Sequence, residues 1–302
     1  MIRLLYINDC ETDYSECKTV VTIGNFDGFH KGHKKLIETV NNIKTDTDLK
    51  SLVLSFYPRP VSVLRGIDVS SIFVNEERTE MAESLGVDIL VDYPFTKDFA
   101  ALSGAEFIGI LKNKFSCRQI VVGEDFAFGK NRMWNAESLL KIAQEAGITV
   151  TIKGHEYIED HKISSTDIRN CLKSGDIEKA NHLMGHDFFL RSIVNPKIMK
   201  IHDSNFSTVI IVPPKDKLLP KPGAYIVEAV FEDGETYLGW ACVGNNAILN
   251  YPEVIVETYI QNFDEDIKNK TVKIKFKKFA REEIKFESEK ELLIQAAEDM
   301  GF

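Results

Sequence analysis

Residues 20–33 read VVTIGNFDGFHKGH, and the N-terminal half of the chain repeats the strand–loop–helix pattern that this stretch begins. Its first four residues are all β-branched and three of them are apolar, which is typical of a buried strand. The glycines and polar residues that follow indicate a turn, and a helix is predicted to begin near Lys31. Such a helix points its unpaired N–H groups back at the end of the strand, where they favour an anion such as phosphate.

His30 and His33 are three residues apart in this stretch, so they are expected to lie about one helical turn apart and to face the same ligand. Two imidazoles that donate to phosphoryl oxygens would stabilise the charge on a pentacoordinate phosphorus. A zinc site would need at least a third ligand at a suitable spacing, and no Cys or His that could supply it lies nearby. The residues alone leave a phosphate site, a zinc site and a structural turn open.

Strands and helices alternate along the first half of the chain. Apolar runs typical of buried strands occupy residues 20–26, 51–57, 87–93, 118–126 and 147–154, and helical patterns occupy residues 32–44, 75–86, 104–115, 135–147, 164–175 and 176–185. This alternation predicts an α/β fold with a parallel sheet between helices. In such sheets ligands bind at the carboxyl ends of the strands, which is where residues 24–33 would lie.

The pattern changes near residue 188, after which short apolar runs are separated by turn signals. The Asp-Gly pair within residues 232–235 predicts a hairpin, and residues 288–300 predict a final helix. The second half is therefore expected to be a small antiparallel barrel or sandwich. The sequence predicts two domains, 1–187 and 188–302.

The composition restricts the class of protein. Of 302 residues, 44% are hydrophobic and 27% are charged, and no run approaches the length of apolar sequence that a membrane span needs. The N-terminus turns acidic too soon for a secretory signal, and five scattered cysteines without a CxxC pair favour a reducing cytoplasm. The net charge of −9 argues against nucleic-acid binding, although it permits a small anionic ligand.

Four motifs stand in order along the first half: GNFDGFHKGH (24–33), LSFYPRPVSVL (54–64), VVGEDFAFGKNR (121–132) and ISSTDIR (163–169). A strand followed by HxGH at a helix start resembles the nucleotidyltransferase superfamily. The four motifs together resemble prokaryotic-type FAD synthetases, the adenylyltransferase module of the bifunctional riboflavin kinase/FAD synthetase family. The resemblance extends over roughly residues 18–187 and implies a Rossmann-like nucleotidyltransferase sheet.

The resemblance implies the reaction FMN + ATP → FAD + pyrophosphate, with ATP and FMN as substrates and Mg²⁺ as the implied cofactor. The residues that it implies for catalysis are His30, His33 and Arg169. Those implied for ATP binding are Gly24, Asn25, Phe26, Asp27, Gly32, Ser165 and Thr166. Those implied for flavin binding are Phe56, Pro58, Asp125, Phe126 and Phe128. No metal ligand and no oligomeric state are predicted.

Residue chemistry supports part of this assignment independently. Ser164 with Asp167 three residues later is typical of a capped helix start, another place where N–H groups meet anions. Arg169, one turn on, offers a fork for a phosphate, although a plain capped helix with a surface arginine is the alternative. Phenylalanines that follow strands could pack on an isoalloxazine ring, or they could simply fill the core.

The second half resembles the riboflavin kinase barrel of the same family, with departures. NFSTVI (205–210) stands where that family has G-F-P-T-A-N, so Thr208 is kept while Ile210 replaces the asparagine. Isoleucine has no lone pair for a metal. Glu257 stands where the family has its catalytic glutamate, and we expect it to be a solvated strand residue of a vestigial kinase site.

The favoured interpretation is a monofunctional FAD synthetase with a degenerate riboflavin kinase-type β-barrel. One alternative is a bifunctional enzyme that also phosphorylates riboflavin to FMN. Another is a nonenzymatic flavin- or nucleotide-binding regulator, and a third is an adenylyl- or cytidylyltransferase for a different phosphorylated substrate.

Overall fold

The computed structural model describes residues 3–6, 17–158, 161–194, 206–244, 254–263, 270–286 and 288–301. The chain forms two compact units. The first consists of Met1–Val69 and Arg78–Ile163, and the second consists of Ser70–Glu77 and Ser164–Phe302. The boundary between residues 187 and 188 stays a prediction. Across the described residues, no helix combines the length and the apolar character that crossing a membrane requires.

The strands of the first unit are β1 (Arg3–Tyr6), β2 (Thr19–Ile23), β3 (Lys50–Tyr57), β4 (Ile89–Pro94), β5 (Cys117–Gly123), β6 (Ala127–Phe128), β7 (Trp134–Asn135), β8 (Thr149–Lys153), β9 (Tyr157–Ile158) and β10 (His161–Lys162). Its helices are α1 (Lys31–Thr45), α2 (Pro60–Arg65), α3 (Asn75–Ser84, which begins in the second unit), α4 (Lys97–Ala100), α5 (Gly104–Lys114) and α6 (Ala136–Glu145), with a 3-10 helix at Lys130–Arg132. Six strands form one parallel sheet in the order β1-β4-β3-β2-β5-β8.

Helices cover both faces of this sheet, because successive residues of each strand point to opposite sides. Val21 packs in a cluster with residues of α5 and α6, including Phe107 and Leu139. Its neighbour Val20 packs on the other face with Val40 of α1. The predicted α/β fold with a doubly covered parallel sheet is confirmed, and it places the loops after β2, β3, β4 and β5 at one edge.

The second unit contains α7 (Ser165–Ser174), α8 (Ile177–Met184), β11 (Phe188–Ile193), β12 (Phe206–Ile211), β13 (Gly223–Phe231), β14 (Thr236–Gly244), β15 (Ile255–Gln261), β16 (Thr271–Arg281) and α9 (Glu289–Met300). Its six strands form a curled antiparallel sheet in the order β11-β16-β13-β14-β15-β12. The predicted antiparallel barrel, its final helix and the hairpin between β13 and β14 are confirmed. Gly234 takes a φ of +89° in that hairpin, a conformation that glycine adopts without strain.

Residues 70–77 belong to the second unit, although in the sequence they lie within the first half of the chain. The backbone N–H of Leu218 donates to the carbonyl of Ser71 at 2.6 Å. Lys217, fully buried at its side chain, donates from Nζ to Oε2 of Glu77 at 2.6 Å and to the carbonyl of Ile72 at 2.8 Å. Burial raises the pKa of Glu77 above its ordinary value, although Lys217 acts in the opposite direction. A buried ion pair therefore ties the 70–77 segment into this unit.

Candidate active site

The loop between β2 and α1 has an unusual backbone. Phe26 and Phe29 have φ values of +44° and +41°, and Gly28 has a φ of +83°. Bulky residues rarely adopt the left-handed region, because their Cβ atoms crowd the backbone there. Both phenylalanine rings are fully buried, which holds the loop in this shape. Strand β2 therefore ends at Ile23, and the expectation that it continues to residue 26 is wrong.

His30 and His33 are brought together as the sequence predicts, and they stack. Their ring centroids are 3.6 Å apart and their planes differ by 19°. His30 is the N-cap of α1, where its Nδ1 accepts from the backbone N–H of His33 at 3.4 Å. Because Nδ1 accepts, the neutral ring of His30 carries its proton on Nε2. A Cβ on Gly32 would lie 3.2 Å from the His30 ring, so glycine leaves room for this stack.

His33 is held in its neutral form. Burial lowers its pKa well below the ordinary value, and the nearby side chains of His30 and Arg78 lower it further. Its Nδ1 is buried and has no hydrogen-bond partner among the described residues. The ring of Phe26 lies beside it, with centroids 4.8 Å apart. At neutral pH this imidazole thus has one N–H donor and one acceptor nitrogen.

Strand β3 and the residues after it fix the other side of the loop. The hydroxyl of Ser55 donates to the carbonyl of Asn25 at 3.1 Å, and the N–H of Gly24 donates to the carbonyl of Leu54 at 3.1 Å. Arg59 donates from Nη1 to Oδ2 of the buried Asp27 at 2.8 Å. The carboxylate of Asp27 is therefore neutralised inside a site that would receive phosphates.

Arg78 and Asp92 are buried next to this loop, and the sequence interpretation missed both. Arg78 on α3 donates from Nη1 to Oδ2 of Asp92, near the carboxyl end of β4, at 2.7 Å. Both residues are more than nine-tenths buried. Asp92 could have been identified as a candidate site residue, because it lies near the end of the apolar run 87–93. No such signal marks Arg78, because the charged sequence around it is typical of a solvated helix.

The two elements assigned to flavin are joined by a series of aromatic rings. The ring centroids lie 5.6 Å apart from Phe56 to Phe99, 6.1 Å from Phe99 to Phe107, 4.7 Å from Phe107 to Phe128, and 5.5 Å from Phe128 to Phe126. Phe56, Phe99, Phe126 and Phe128 are only partly buried. The loops after β3 and β5 thus share one apolar wall, which we call the aromatic wall. Because these four rings are partly exposed, core filling explains only part of the aromatic wall.

Two further residues assigned to flavin lie in these same loops. Pro58 lies two residues after Phe56, between the end of β3 and the start of α2. The carboxylate of Asp125 accepts from Nζ of Lys162 at 2.5 Å, and His155 lies 4.0 Å from it. Burial alone would raise the pKa of Asp125, but Lys162 and His155 outweigh burial and the pKa is lowered. Asp125 is thus an ionised carboxylate that already has a cation.

Ser165, Thr166 and Arg169 lie on α7, in the second unit. The predicted cap is confirmed, since Ser164 is the N-cap and its hydroxyl accepts from the backbone N–H of Asp167 at 3.3 Å. Ser165 and Arg169 are half-buried, whereas Thr166 is exposed. Arg169 is therefore not the plain surface arginine of the alternative interpretation.

Thr208 and Glu257 lie on the paired strands β12 and β15. Glu257 is directly opposite Ile210, and Thr208 is directly opposite Tyr259. The expectation that Glu257 is solvated is wrong, because it is 4% exposed and accepts from the hydroxyl of Tyr259 at 2.7 Å. The buried hydroxyl of Thr208 has no partner among the described residues. Asn205, the first residue of NFSTVI, lies outside the described residues.

A cavity of about 150 Å³ adjoins Glu257 in the second unit. Its walls are mostly apolar and include Trp240, Ile255, Phe286 and Leu292. Trp240 is held by a hydrogen bond of 2.9 Å from Nε1 to Asp299 of α9. The cavity is therefore mostly apolar, with the buried carboxylate of Glu257 and the exposed residues Glu283 and Lys285 also in its lining.

Comparisons with known proteins cover nearly the whole chain. A family model described as FAD synthetase matches residues 12–167, and one described as riboflavin kinase matches residues 190–302. The bifunctional riboflavin kinase/FMN adenylyltransferase of Listeria monocytogenes is 31% identical over 290 residues, which are 95% of this chain and 92% of the relative. The protein of the same description from Bacillus subtilis is also 31% identical, over 94% of this chain and 91% of the relative.

A solved structure gives the same result for the fold. The crystal structure of a macrolide-efflux protein from Streptococcus pneumoniae is 28% identical and matches with a TM-score of 0.80, covering 99% of this chain and 98% of that chain. Both halves of the chain thus have relatives of the kind that the motifs indicated. The chain belongs to the bifunctional riboflavin kinase/FMN adenylyltransferase family.

Proposed function

We propose that the first unit transfers AMP from ATP to FMN, giving FAD and pyrophosphate. The observation that carries the proposal is the stacked pair of His30 and His33 at the N-terminus of α1. The helix terminus favours the anionic phosphates, and the two rings supply donors where charge develops. The match of residues 12–167 to FAD synthetases supports it independently.

The reaction needs alignment more than it needs a base. An oxygen of the FMN phosphate attacks the α-phosphorus of ATP, and the bond from that phosphorus to the bridging oxygen breaks. The electron pair leaves with pyrophosphate. A phosphate monoester is largely ionised at pH 7, so no side chain has to remove a proton from it. His30 and His33 would stabilise the charge on the phosphoryl oxygens, and Arg59 would keep Asp27 from repelling them.

The aromatic wall is proposed to receive the flavin ring. Phe56, Phe126 and Phe128 would pack on an isoalloxazine, with Pro58 and Asp125 at the ends of the same loops. Gly24, Asn25, Phe26 and Gly32 would shape the ATP loop. Ser165, Thr166 and Arg169 remain proposed nucleotide-binding residues, supported by the resemblance of ISSTDIR and by the capped start of α7.

Mg²⁺ is part of the proposal because it would enter the site bound to the substrate ATP. Among the described residues, no group of three or more His, Cys, Asp or Glu side chains is placed to hold a metal ion. Mg²⁺ prefers phosphate oxygens and keeps several waters, so it would arrive on the triphosphate and neutralise part of its charge.

The second unit is proposed to phosphorylate riboflavin, which would make the chain bifunctional. The bifunctional relatives and the match to riboflavin kinases support this alternative better than the monofunctional interpretation. The burial of Glu257 beside an apolar cavity also supports it, because a desolvated carboxylate is a suitable base for an alcohol. Ile210 stays a departure from the kinase pattern, and we expect it to lower this activity.

One experiment tests both activities. The purified full chain is incubated with ATP and Mg²⁺ and either riboflavin or FMN, and the flavins are separated by chromatography. We expect FAD from FMN, and FMN followed by FAD from riboflavin. A chain that forms FAD from FMN but nothing from riboflavin would restore the monofunctional interpretation, and no product from either substrate would favour a regulator.

A further inference from the structure

Arg78 has an unsatisfied hydrogen-bonding edge. Its Nη1 donates to Asp92 at 2.7 Å, whereas Nε and Nη2 are buried and have no partner among the described residues. These two nitrogens lie on the same side of the guanidinium, so their N–H bonds are nearly parallel. That edge is the one that binds two oxygens of a carboxylate or phosphate at once.

Arg78 lies at the edge of the sheet that carries the HxGH loop. Its partner Asp92 is directly opposite Ser55 of β3, and Ser55 donates to the carbonyl of Asn25 in that loop. The charge of Arg78 also reaches the ring of His33, where it contributes to the lowered pKa. The unsatisfied edge is therefore part of the same corner of the first unit as the stacked histidines.

Burying Nε and Nη2 of Arg78 without acceptors lowers the stability of the folded chain. A buried donor on a charged group loses its hydrogen bonds to water, and that loss is recovered only if another acceptor replaces them. Asp92 satisfies one nitrogen and holds the guanidinium in place. Nε and Nη2 point to an acceptor that the described residues do not supply, and the oxygens of a phosphate match the spacing of these two nitrogens.

We propose that Arg78 binds phosphoryl oxygens of the nucleotide through Nε and Nη2, with Asp92 as its positioning residue. The ligand class is a pyrophosphoryl group, either within ATP or as the released product. The inference rests on the proposed adenylyl transfer in the first unit, and it adds to the histidines a cation that is fixed before the substrate arrives. Fixed charge of this kind needs no rearrangement during the reaction.

The test compares Arg78→Gln, Arg78→Lys and Asp92→Asn with the control Arg118→Gln in the full chain. Arg118 is an exposed arginine on the same sheet, near the amino end of β5. In FAD formation we expect Arg78→Gln to raise KM for ATP roughly ten- to a hundredfold, as expected for charge-assisted hydrogen bonds. Arg78→Lys should show part of that increase, because a lysine keeps the charge but not the fork.

Two readouts separate this role from a structural one. KM for FMN in the same reaction, and KM for ATP in FMN formation from riboflavin, should stay within about twofold of wild type. Inorganic pyrophosphate, titrated by calorimetry in the absence of ATP, should bind Arg78→Gln at least roughly tenfold more weakly. Equal increases of KM for ATP and FMN, or unchanged pyrophosphate affinity, would overturn the proposal.

The experiment remains decisive if Arg78→Gln does not fold or if the proposed function is wrong. If Arg78→Gln does not fold, Arg78→Lys decides the question by the same two measurements, since it keeps a cation opposite Asp92. If the wild-type chain forms no FAD, the proposed function fails, while the pyrophosphate titration still reports on Arg78. Wild-type FAD formation with unchanged binding in both Arg78 variants would overturn the role of Arg78 alone.

Discussion

Ile210 on β12 lies directly opposite Glu257 on β15, so the two side chains are on the same face of the sheet. A position that departs from the riboflavin kinase pattern therefore adjoins the proposed kinase base. Both residues are buried. An asparagine at this position would have its Cβ about 5 Å from that of Glu257, so its amide oxygen would be within reach of a metal ion or phosphate that both side chains share.

We expect Ile210→Asn to increase kcat/KM for FMN formation from riboflavin by roughly tenfold, as one added polar contact would do. The added buried amide should lower the free energy of unfolding by about 1–3 kcal/mol. Ile211→Asn is the matched control, because Ile211 is equally buried on the same strand and points to the opposite face. A gain of activity in the control, or no gain in Ile210→Asn, would contradict the prediction.

Removal of either stacked imidazole should slow FAD formation. We expect His30→Gln and His33→Gln each to lower kcat by roughly 10²–10³, comparable to the loss of an oxyanion donor. The rate of FMN formation from riboflavin, measured in the same preparations, should not change. His182→Gln, at an exposed position on α8, serves as the control. A double variant of His30 and His33 with normal turnover would contradict the mechanism.

The stability of the first unit should depend on pH through His33. Its pKa is lowered in the folded chain, so below about pH 6.5 the unfolded chain binds the proton more readily. The free energy of unfolding should therefore fall as the pH falls below 6.5, by up to about 1.4 kcal/mol per pH unit. His33→Gln should lose this part of the slope. Urea unfolding followed by Trp134, in a Trp240→Phe background, measures it for the first unit.

Arg59 is expected to support ATP binding by neutralising the carboxylate of Asp27. Arg59→Gln would leave the buried carboxylate without this cation, so we expect KM for ATP in FAD formation to rise about tenfold, a cost of about 1.4 kcal/mol. Asp27→Asn in the same chain should recover most of this loss, since it removes the negative charge that Arg59 pairs with. Arg65→Gln, exposed at the end of α2, is the control. Failure of the second substitution to recover ATP affinity would show that Arg59 acts directly.

The buried pair of Lys217 and Glu77 should be costly to break. We expect Glu77→Gln and Lys217→Met each to reduce the free energy of unfolding of the second unit by about 3–5 kcal/mol, because each leaves a buried charge without its partner. Urea unfolding followed by Trp240, in a Trp134→Phe background, measures the loss. Lys215→Met, two residues away and exposed, should change it by less than about 0.5 kcal/mol.

The sequence predicted the parts of this protein that depend on local pattern. Strand β3, helix α1 and the cap at Ser164 follow from apolar periodicity and from the residue types at helix ends. The HxGH motif also predicted that His30 and His33 lie close together, because residues three apart at the start of a helix are neighbours on its surface.

What the sequence did not predict depends on contacts between distant residues. Phe26 and Phe29 adopt left-handed φ values only because the fold buries their rings. Glu257 resembles a solvated residue in an alternating strand until the antiparallel pairing places Ile210 opposite it. The partnership of Arg78 with Asp92 crosses from a helix to a strand, and no local pattern encodes it.

The 70–77 segment has a consequence for dividing the protein. Residues 70–77 complete the second unit, yet they precede most of the first unit in the chain. No single cut therefore yields two intact halves. A C-terminal fragment that starts at Ser164 or Phe188 would bury Lys217 without the carboxylate of Glu77, and an N-terminal fragment would carry that carboxylate with no lysine to meet it.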